Sequence, residues 1–106
     1  MKKRALTVFV LLPLLLLSCG AFWQSDSARG IQSARSGEYA AAVRILEPLV
    51  AGGSNDPVAV ESLYYSWVRQ GEYSTARDRF ETWAKARPNS APVRLAAARV
   101  NRLTGN

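Results

Sequence analysis

The sequence has no histidine and a single cysteine, Cys19. A disulfide within the chain is therefore impossible, and a zinc site of histidine and cysteine side chains lacks ligands. The same absence excludes a serine–histidine or cysteine–histidine nucleophile pair. At 106 residues the chain forms one domain at most. We predict a protein without a metal site or a bound cofactor.

Acidic residues are also few, with 8 Asp and Glu against 14 Lys and Arg, a formal net charge of +6. Three of the positive charges, Lys2, Lys3 and Arg4, open the chain, and without them the balance is 11 − 8 = +3. The other basic residues are scattered among acids, which is typical of a solvated helical surface. We therefore predict no nucleic-acid partner.

A cell-wall enzyme is the main catalytic alternative, because carboxylates alone can serve as acid and base. Such work needs a pocket that shifts a carboxyl pKa, and no apolar pocket is evident around these groups. They lie at expected turns or on exposed helix faces: Glu38, Glu47, Glu61, Glu72 and Glu81. We predict that the protein is not an enzyme.

The longest apolar run, residues 5–17, is short. Its 13 residues contain Thr7 and Pro13 and follow a basic start. A membrane-spanning helix needs about 20 apolar residues, so the run is too short to be one. A basic start followed by a short apolar run is the layout of an export signal.

The segment Leu16-Leu17-Ser18-Cys19-Gly20 resembles the lipobox of bacterial lipoproteins. The resemblance implies that residues 1–18 are a signal peptide, that Cys19 carries a covalent lipid, and that residues 19–24 form a short tether. With Gly20 rather than Asp after the cysteine, it also implies an outer-membrane protein facing the periplasm if the cell is diderm. The alternative is an ordinary signal peptide cut after Ser18 or Ala21.

The remainder of the chain predicts five helices separated by glycine or proline breaks. The first is expected from an N-cap at Ser25 or Asp26 to about Ser36, and the second from Glu38 to about Val50. The third is expected from an N-cap at Asn55 or Asp56, with Pro57 at its first position, to Gly71. The fourth is expected from Tyr73 to Pro88, and the fifth from an N-cap at Ser90 to Leu103. The predicted buried faces of the middle three are Tyr39, Ala42, Val43, Leu46, Leu49 and Val50; Val60, Leu63, Tyr64, Trp67 and Val68; and Tyr73, Ala76, Phe80, Trp83 and Ala84.

Two residues conflict with these helices. Gly30, if it is an interior position, weakens the first by about 1 kcal/mol relative to alanine. Pro48 lies inside the second helix and cannot donate a backbone hydrogen bond, which predicts a bend near Arg44 or a frayed last turn.

A 34-residue period links Gly37-Glu38-Tyr39, Gly71-Glu72-Tyr73 and Gly105. A fixed period of this length predicts stacked repeats. The pattern resembles the tetratricopeptide repeat, a helix–turn–helix unit. It is carried by Leu63, Trp67, Gly71, Tyr73, Ala76, Phe80 and Pro88 in the repeat at 57–90, and by Gly37, Tyr39 and Ala42 in the repeat at 23–56.

A third, partial repeat covers residues 91–106, and Tyr64 departs from the pattern at a position where a small residue is usual. The resemblance implies that residues 25–106 are antiparallel helical hairpins, stacked as a short right-handed solenoid. The alternative is a generic five-helix bundle with chance spacing.

In tetratricopeptide proteins the first helix of each hairpin lines a concave binding groove. The positions carried over are Ile31, Arg35, Glu61, Tyr65, Arg69, Arg99 and Arg102. They imply a protein partner, with Tyr65 as an anchor and the arginines as donors to an acidic or extended segment. The alternative is that the arginines only solubilise the surface and that Tyr65 is packing.

The fifth helix has no second helix to complete its hairpin. Its Leu95, Ala98 and Leu103 therefore either form a solvated cap or dock on another copy of the chain. Together these features predict a membrane-anchored interaction adaptor of the cell envelope, with assembly of a secretion or pilus-type complex as one such role. The alternative is a truncated or minimal repeat protein with only a structural or oligomerisation role.

Overall fold

The computed structural model describes residues 25–105, which form five helices joined by short turns. In chain order the helices are α1 (Asp26–Arg35), α2 (Tyr39–Ala51), α3 (Pro57–Arg69), α4 (Tyr73–Ala86) and α5 (Ala91–Leu103). The prediction of an all-α chain with five helices is confirmed for this range. The signal segment, Cys19 and the tether at 19–24 lie outside the described residues.

The turn after α3 shows why the Gly-Glu-Tyr motif recurs. Gly71 has a φ of 74°, in the left-handed region that glycine adopts without strain. Its N–H donates to the Val68 carbonyl at 3.0 Å, and the Glu72 N–H donates to the Trp67 carbonyl at 2.9 Å. This Schellman pattern satisfies the last carbonyls of the helix. Gly37, with a φ of 81°, ends α1 with the equivalent pair of bonds.

Helix α2 continues through Pro48 to Ala51. The Gly52 N–H donates to the Pro48 carbonyl at 2.9 Å, and the Ser54 N–H donates to the Leu49 carbonyl at 3.0 Å. Proline lacks only its own N–H donor, so its carbonyl still takes part in the last turn. The predicted alternative of a frayed last turn is therefore wrong.

Side-chain caps begin two of the helices. The Ser25 hydroxyl accepts from the Ala28 N–H at 3.1 Å, and the Asp56 carboxylate accepts from the Val58 N–H at 3.1 Å. These bonds satisfy N–H groups that have no partner within the helix. Ser90 occupies the equivalent position before α5, but its buried hydroxyl makes no capping hydrogen bond. The predicted position of this N-cap is therefore confirmed, whereas the side-chain hydrogen bond expected of a cap is absent.

One hydrophobic cluster runs through all five helices. Its centre is aromatic: the Phe80 ring centroid lies 5.6 Å from that of Trp67 and 5.3 Å from that of Trp83, both nearly edge-to-face. This geometry is the favourable one for aromatic rings. The buried members are Ala34, Ala42, Leu46, Val50, Ala59, Val60, Leu63, Trp67, Ala76, Phe80, Trp83, Val93, Ala96, Ala97 and Val100.

Tyr73 was expected in the core, and its predicted burial is wrong, because 42% of its surface is exposed. Its counterpart one period earlier, Tyr39, is half-buried under Tyr65, with ring centroids 5.8 Å apart. The residue one period after Tyr65 is Arg99, which offers no ring. Tyr73 therefore lacks the aromatic contact that covers Tyr39.

The helices stack in one order. Each helix packs against the next, and the odd-numbered helices also contact one another in a row, α1 with α3 and α3 with α5. Because the turns are short, helices that pack side by side across them run in opposite directions. This stacking is consistent with a row of hairpins, and the right-handed solenoid stays a prediction.

Gly30 is buried where α1 meets α2. A Cβ built on it would lie 2.5 Å from both Cγ and Cδ2 of Leu46, closer than real Cβ contacts. The absence of a side chain therefore allows the two helices to approach. The prediction for Gly30 considered only helix propensity, which does not report on such a close contact between helices.

Candidate interaction groove

Two shallow cavities, each of about 350 Å³, lie along the row of odd-numbered helices. One is lined by residues of α1, α3 and α5, and the other lies between α3 and α5. Both are lined by Glu61, Tyr64 and Arg99, so they form one continuous depression. We call this depression the groove.

The groove brings together four of the predicted binding residues, because the first cavity is lined by Arg35, Glu61, Tyr65 and Arg99. Ile31 is half-buried and joins Arg35 in an adjoining cavity between α1 and α3. The other two predicted residues line neither groove cavity: Arg69 lies beside Tyr65, and Arg102 lines a neighbouring cavity with Tyr64 and Arg99.

At one end, Tyr65 is held by its neighbours while 47% of its surface stays exposed. Its ring meets the Tyr39 ring edge-on. The Arg69 guanidinium carbon lies 5.8 Å from the Tyr39 centroid and 6.0 Å from the Tyr65 centroid, within cation–π range. Arg69 thus contacts both rings of the tyrosine pair, and the exposed part of Tyr65 faces solvent.

Across the middle, Arg99 of α5 reaches Glu61 of α3 at 3.6 Å. The two side chains are 40% and 69% exposed, and exposed ion pairs contribute only about 0–1 kcal/mol. Arg99 also lies over Tyr64, with its guanidinium carbon 5.9 Å from the ring centroid. A bound carboxylate would therefore compete with Glu61 at little cost.

Next to the groove, Arg102 and Leu103 of α5 line a further cavity of about 420 Å³ with Tyr64 and Arg99. Arg102 is exposed and Leu103 is 53% exposed. Leu95, on the same helix, is 50% exposed and lines the α3–α5 cavity. The apolar residues expected to be bare on the fifth helix are indeed exposed, and two of them border the groove.

Tyr64 is the site residue that sequence reasoning placed in the buried face instead. It is half-buried against Phe80, with ring centroids 6.5 Å apart, and it lines both groove cavities. The residue one period earlier is Gly30, which is enclosed in a hairpin. A tyrosine at this register is too large for such an enclosure, and that departure from the repeat was the available signal.

Carboxylates do not gather into a metal site in residues 25–105, where no group of three or more acidic or cysteine side chains has suitable geometry. Glu47 is bound instead by Arg79 of α4 at 3.1 Å, away from the groove. Across the same range, no helix is both long enough and apolar enough to cross a membrane.

No family model, curated protein or solved structure matches this chain. The tetratricopeptide and lipobox resemblances therefore rest on the residues that carry them.

Proposed function

We propose that this chain is a membrane-anchored adaptor of the bacterial cell envelope, and that its groove binds a partner protein. The observation that supports this most directly is the exposure of large side chains along one continuous depression. Val58 and Tyr65 are each 47% exposed and Leu95 is 50% exposed. Apolar and aromatic side chains gathered in a concave, solvent-open surface are typical of protein-binding sites.

The anchor in this proposal is a lipid on Cys19, argued from the lipobox resemblance. Lipid chains contribute about 0.8 kcal/mol per buried CH₂, and two or more chains give stable anchoring. Residues 19–24 would span about 20 Å at full extension. The groove would therefore work close to the membrane surface, on a partner that is itself in the envelope.

A site-specific photo-crosslinker tests the groove in intact cells. A benzoylphenylalanine at Tyr65 places the reactive group in the groove with little change of shape. The matched control is the same group at Arg44, an exposed residue of α2, which is not one of the groove helices. We expect a protein adduct from position 65 and none of that mass from position 44. Adducts of equal yield at both positions, or none from position 65, contradict the groove as a binding site.

A structural or oligomerisation role is the second candidate. It is favoured by the exposure of Ala98, whose counterpart Gly30 is covered by the second helix of its hairpin. Light scattering after size exclusion distinguishes the two functions. A stable monomer that still forms the position-65 adduct excludes the oligomerisation role.

A further inference from the structure

The α3–α5 half of the groove is an apolar slot. Its walls include Val60, Tyr64, Pro92, Leu95 and Ala96, and the half-exposed Leu95 opens it to solvent. A volume of about 350 Å³ is far larger than the roughly 30 Å³ that one water occupies in the liquid. A slot of this size and polarity suits a large apolar side chain supplied by another molecule.

The charge of the C-terminal part of the chain, which supplies α5, is one-sided. Residues 82–106 contain five basic side chains and no acid, a net charge of +5. Residues 25–81 contain six basic and eight acidic side chains, a net charge of 6 − 8 = −2. The scattered distribution predicted from sequence thus holds only for the longer part.

The groove shares this excess of positive charge. Its two cavities are lined by two arginines, Arg35 and Arg99, and by one acid, Glu61, and Arg102 lines the neighbouring cavity that shares Tyr64 and Arg99. Since Arg102 is exposed, it offers the donor fork that binds carboxylates in a bidentate manner.

Two segments that the protein itself could supply fit the slot poorly: its own apolar leader and a second copy of the chain. The apolar leader begins with Lys2, Lys3 and Arg4 and would bring more positive charge to the groove. A second copy docked groove to groove would bring its own Arg99 and Arg102 to a surface that already has an excess of positive charge. Like charges brought together in a partly desolvated contact oppose binding.

We infer that the slot accepts an apolar side chain from an extended acidic segment of the partner protein, with carboxylates beside that side chain bound by Arg99 and Arg102. This inference rests on the proposed function and names the chemistry of the partner. The Glu61–Arg99 pair separates to admit a carboxylate, and Arg102 binds the next acid along the segment.

Fluorescence anisotropy with two dye-labelled synthetic peptides tests the inference on the full chain in detergent. One peptide contains leucine, serine and glutamate, and the other replaces every glutamate with lysine. We expect the acidic peptide to bind at least about tenfold more tightly, with an affinity that falls as salt rises. Equal binding of the two peptides, or binding of neither, overturns the inference.

Three variants localise the binding. Leu95→Ser removes the apolar wall and Arg102→Glu reverses the charge, and each should weaken the acidic peptide about tenfold. Lys85→Glu makes the same charge change on α4, outside the groove, and should leave the affinity within about twofold. Both positions in α5 are exposed, and far-UV circular dichroism checks that the helices are intact. A loss for Lys85→Glu as large as that for Arg102→Glu overturns the inference, because binding would then follow net charge alone.

The outcomes also separate this inference from the proposed function. A position-65 adduct in cells without a preference for the acidic peptide retains the adaptor and rejects the acidic segment. A dimer by light scattering that Leu95→Ser converts to monomer assigns the slot to a second copy and rejects the inference. A detergent blank containing the labelled peptide alone removes binding to micelles from the comparison.

Discussion

Gly30→Ala should destabilise the domain, although helix propensity alone predicts the opposite. Alanine is favoured over glycine in a helix interior by about 0.8–1.0 kcal/mol. Against this, the new Cβ would lie 2.5 Å from two carbons of Leu46, a side chain that is fully buried on α2. Adding a methyl group to a packed core costs about 1–3 kcal/mol. We expect a net loss in the free energy of unfolding of about 0–2 kcal/mol.

Removing the obstructing side chain should reverse the sign. Leu46→Ala alone costs about 2–5 kcal/mol because it leaves a cavity. In that background the Gly30→Ala methyl no longer meets Cγ or Cδ2 and partly fills the cavity, and its one remaining tight contact is with Cγ2 of Ile45 at 3.1 Å. Once Ile45 shifts by a few tenths of an ångström, the second substitution should stabilise the domain by about 1 kcal/mol. The double-mutant cycle thus gives a coupling free energy of about 1–3 kcal/mol between the two positions.

Urea unfolding followed by circular dichroism measures the cycle on a chain of residues 20–106, with trimethylamine oxide present to keep the Leu46→Ala variants folded. Ala28→Gly, at an exposed position of the same helix, gives the local size of the propensity effect without a steric contact. If Gly30→Ala raises stability by as much as Ala28→Gly lowers it, the close approach of α1 and α2 is refuted.

Three further predictions concern the end of α2, a turn and the anchor. Arg87→Ala removes guanidinium donors that reach the Val50 carbonyl at 2.6 Å and the Ser54 carbonyl at 3.2 Å. It should lower the free energy of unfolding, measured with urea, by about 1.5–3 kcal/mol. A loss below about 0.5 kcal/mol would show that solvent replaces these hydrogen bonds. Gly71→Ala should lower the free energy of unfolding, measured by thermal unfolding, by about 1–2 kcal/mol, because alanine is strained at a φ of 74°. A steric clash is not the cause, since no neighbouring atom lies within 4 Å of the added Cβ. An unchanged Tm would contradict the strain. Cys19→Ser should abolish labelling by radioactive palmitate, and equal labelling of the two forms would sink the lipoprotein proposal.

The helix breaks could be predicted because they depend on local chemistry. A glycine that must adopt a positive φ leaves a signal in the sequence wherever it occurs, and Gly37 and Gly71 recur at a fixed spacing. The Asp56 cap and Pro57 at the first position of α3 are signals of the same kind. Each depends on neighbours within a few residues, so no knowledge of the tertiary contacts was needed.

Features that depend on distant residues could not be predicted in this way. Arg87 binds a carbonyl 37 residues earlier, and its guanidinium carbon also lies 5.9 Å from the Trp83 ring centroid. Nothing near Arg87 in the sequence distinguishes it from a solvated arginine. The exposure of Tyr73 also depends on a distant residue. Arg99 stands one period after Tyr65, the ring that packs on Tyr39, so Tyr73 has no such ring to pack against it.

The proximity of four predicted groove residues could be predicted from the sequence because the prediction combined a local rule with the period. Positions on one face of the odd-numbered helices recur every 34 residues, so Arg35, Glu61, Tyr65 and Arg99 could be placed together. Their roles could not be assigned, because these depend on contacts between helices. Arg69 contacts two tyrosine rings.

A single register position shows how one repeat geometry yields different surfaces. Gly30, Tyr64 and Ala98 are separated by one period each. Gly30 is enclosed because α2 lies against it, and Ala98 is exposed because no described helix covers it. Tyr64 is too large to be enclosed, so its ring contacts Phe80 on one side and opens onto the groove on the other. Tyr64, which departs from the repeat by its size, is thus one of the three residues that line both halves of the candidate site, with Glu61 and Arg99.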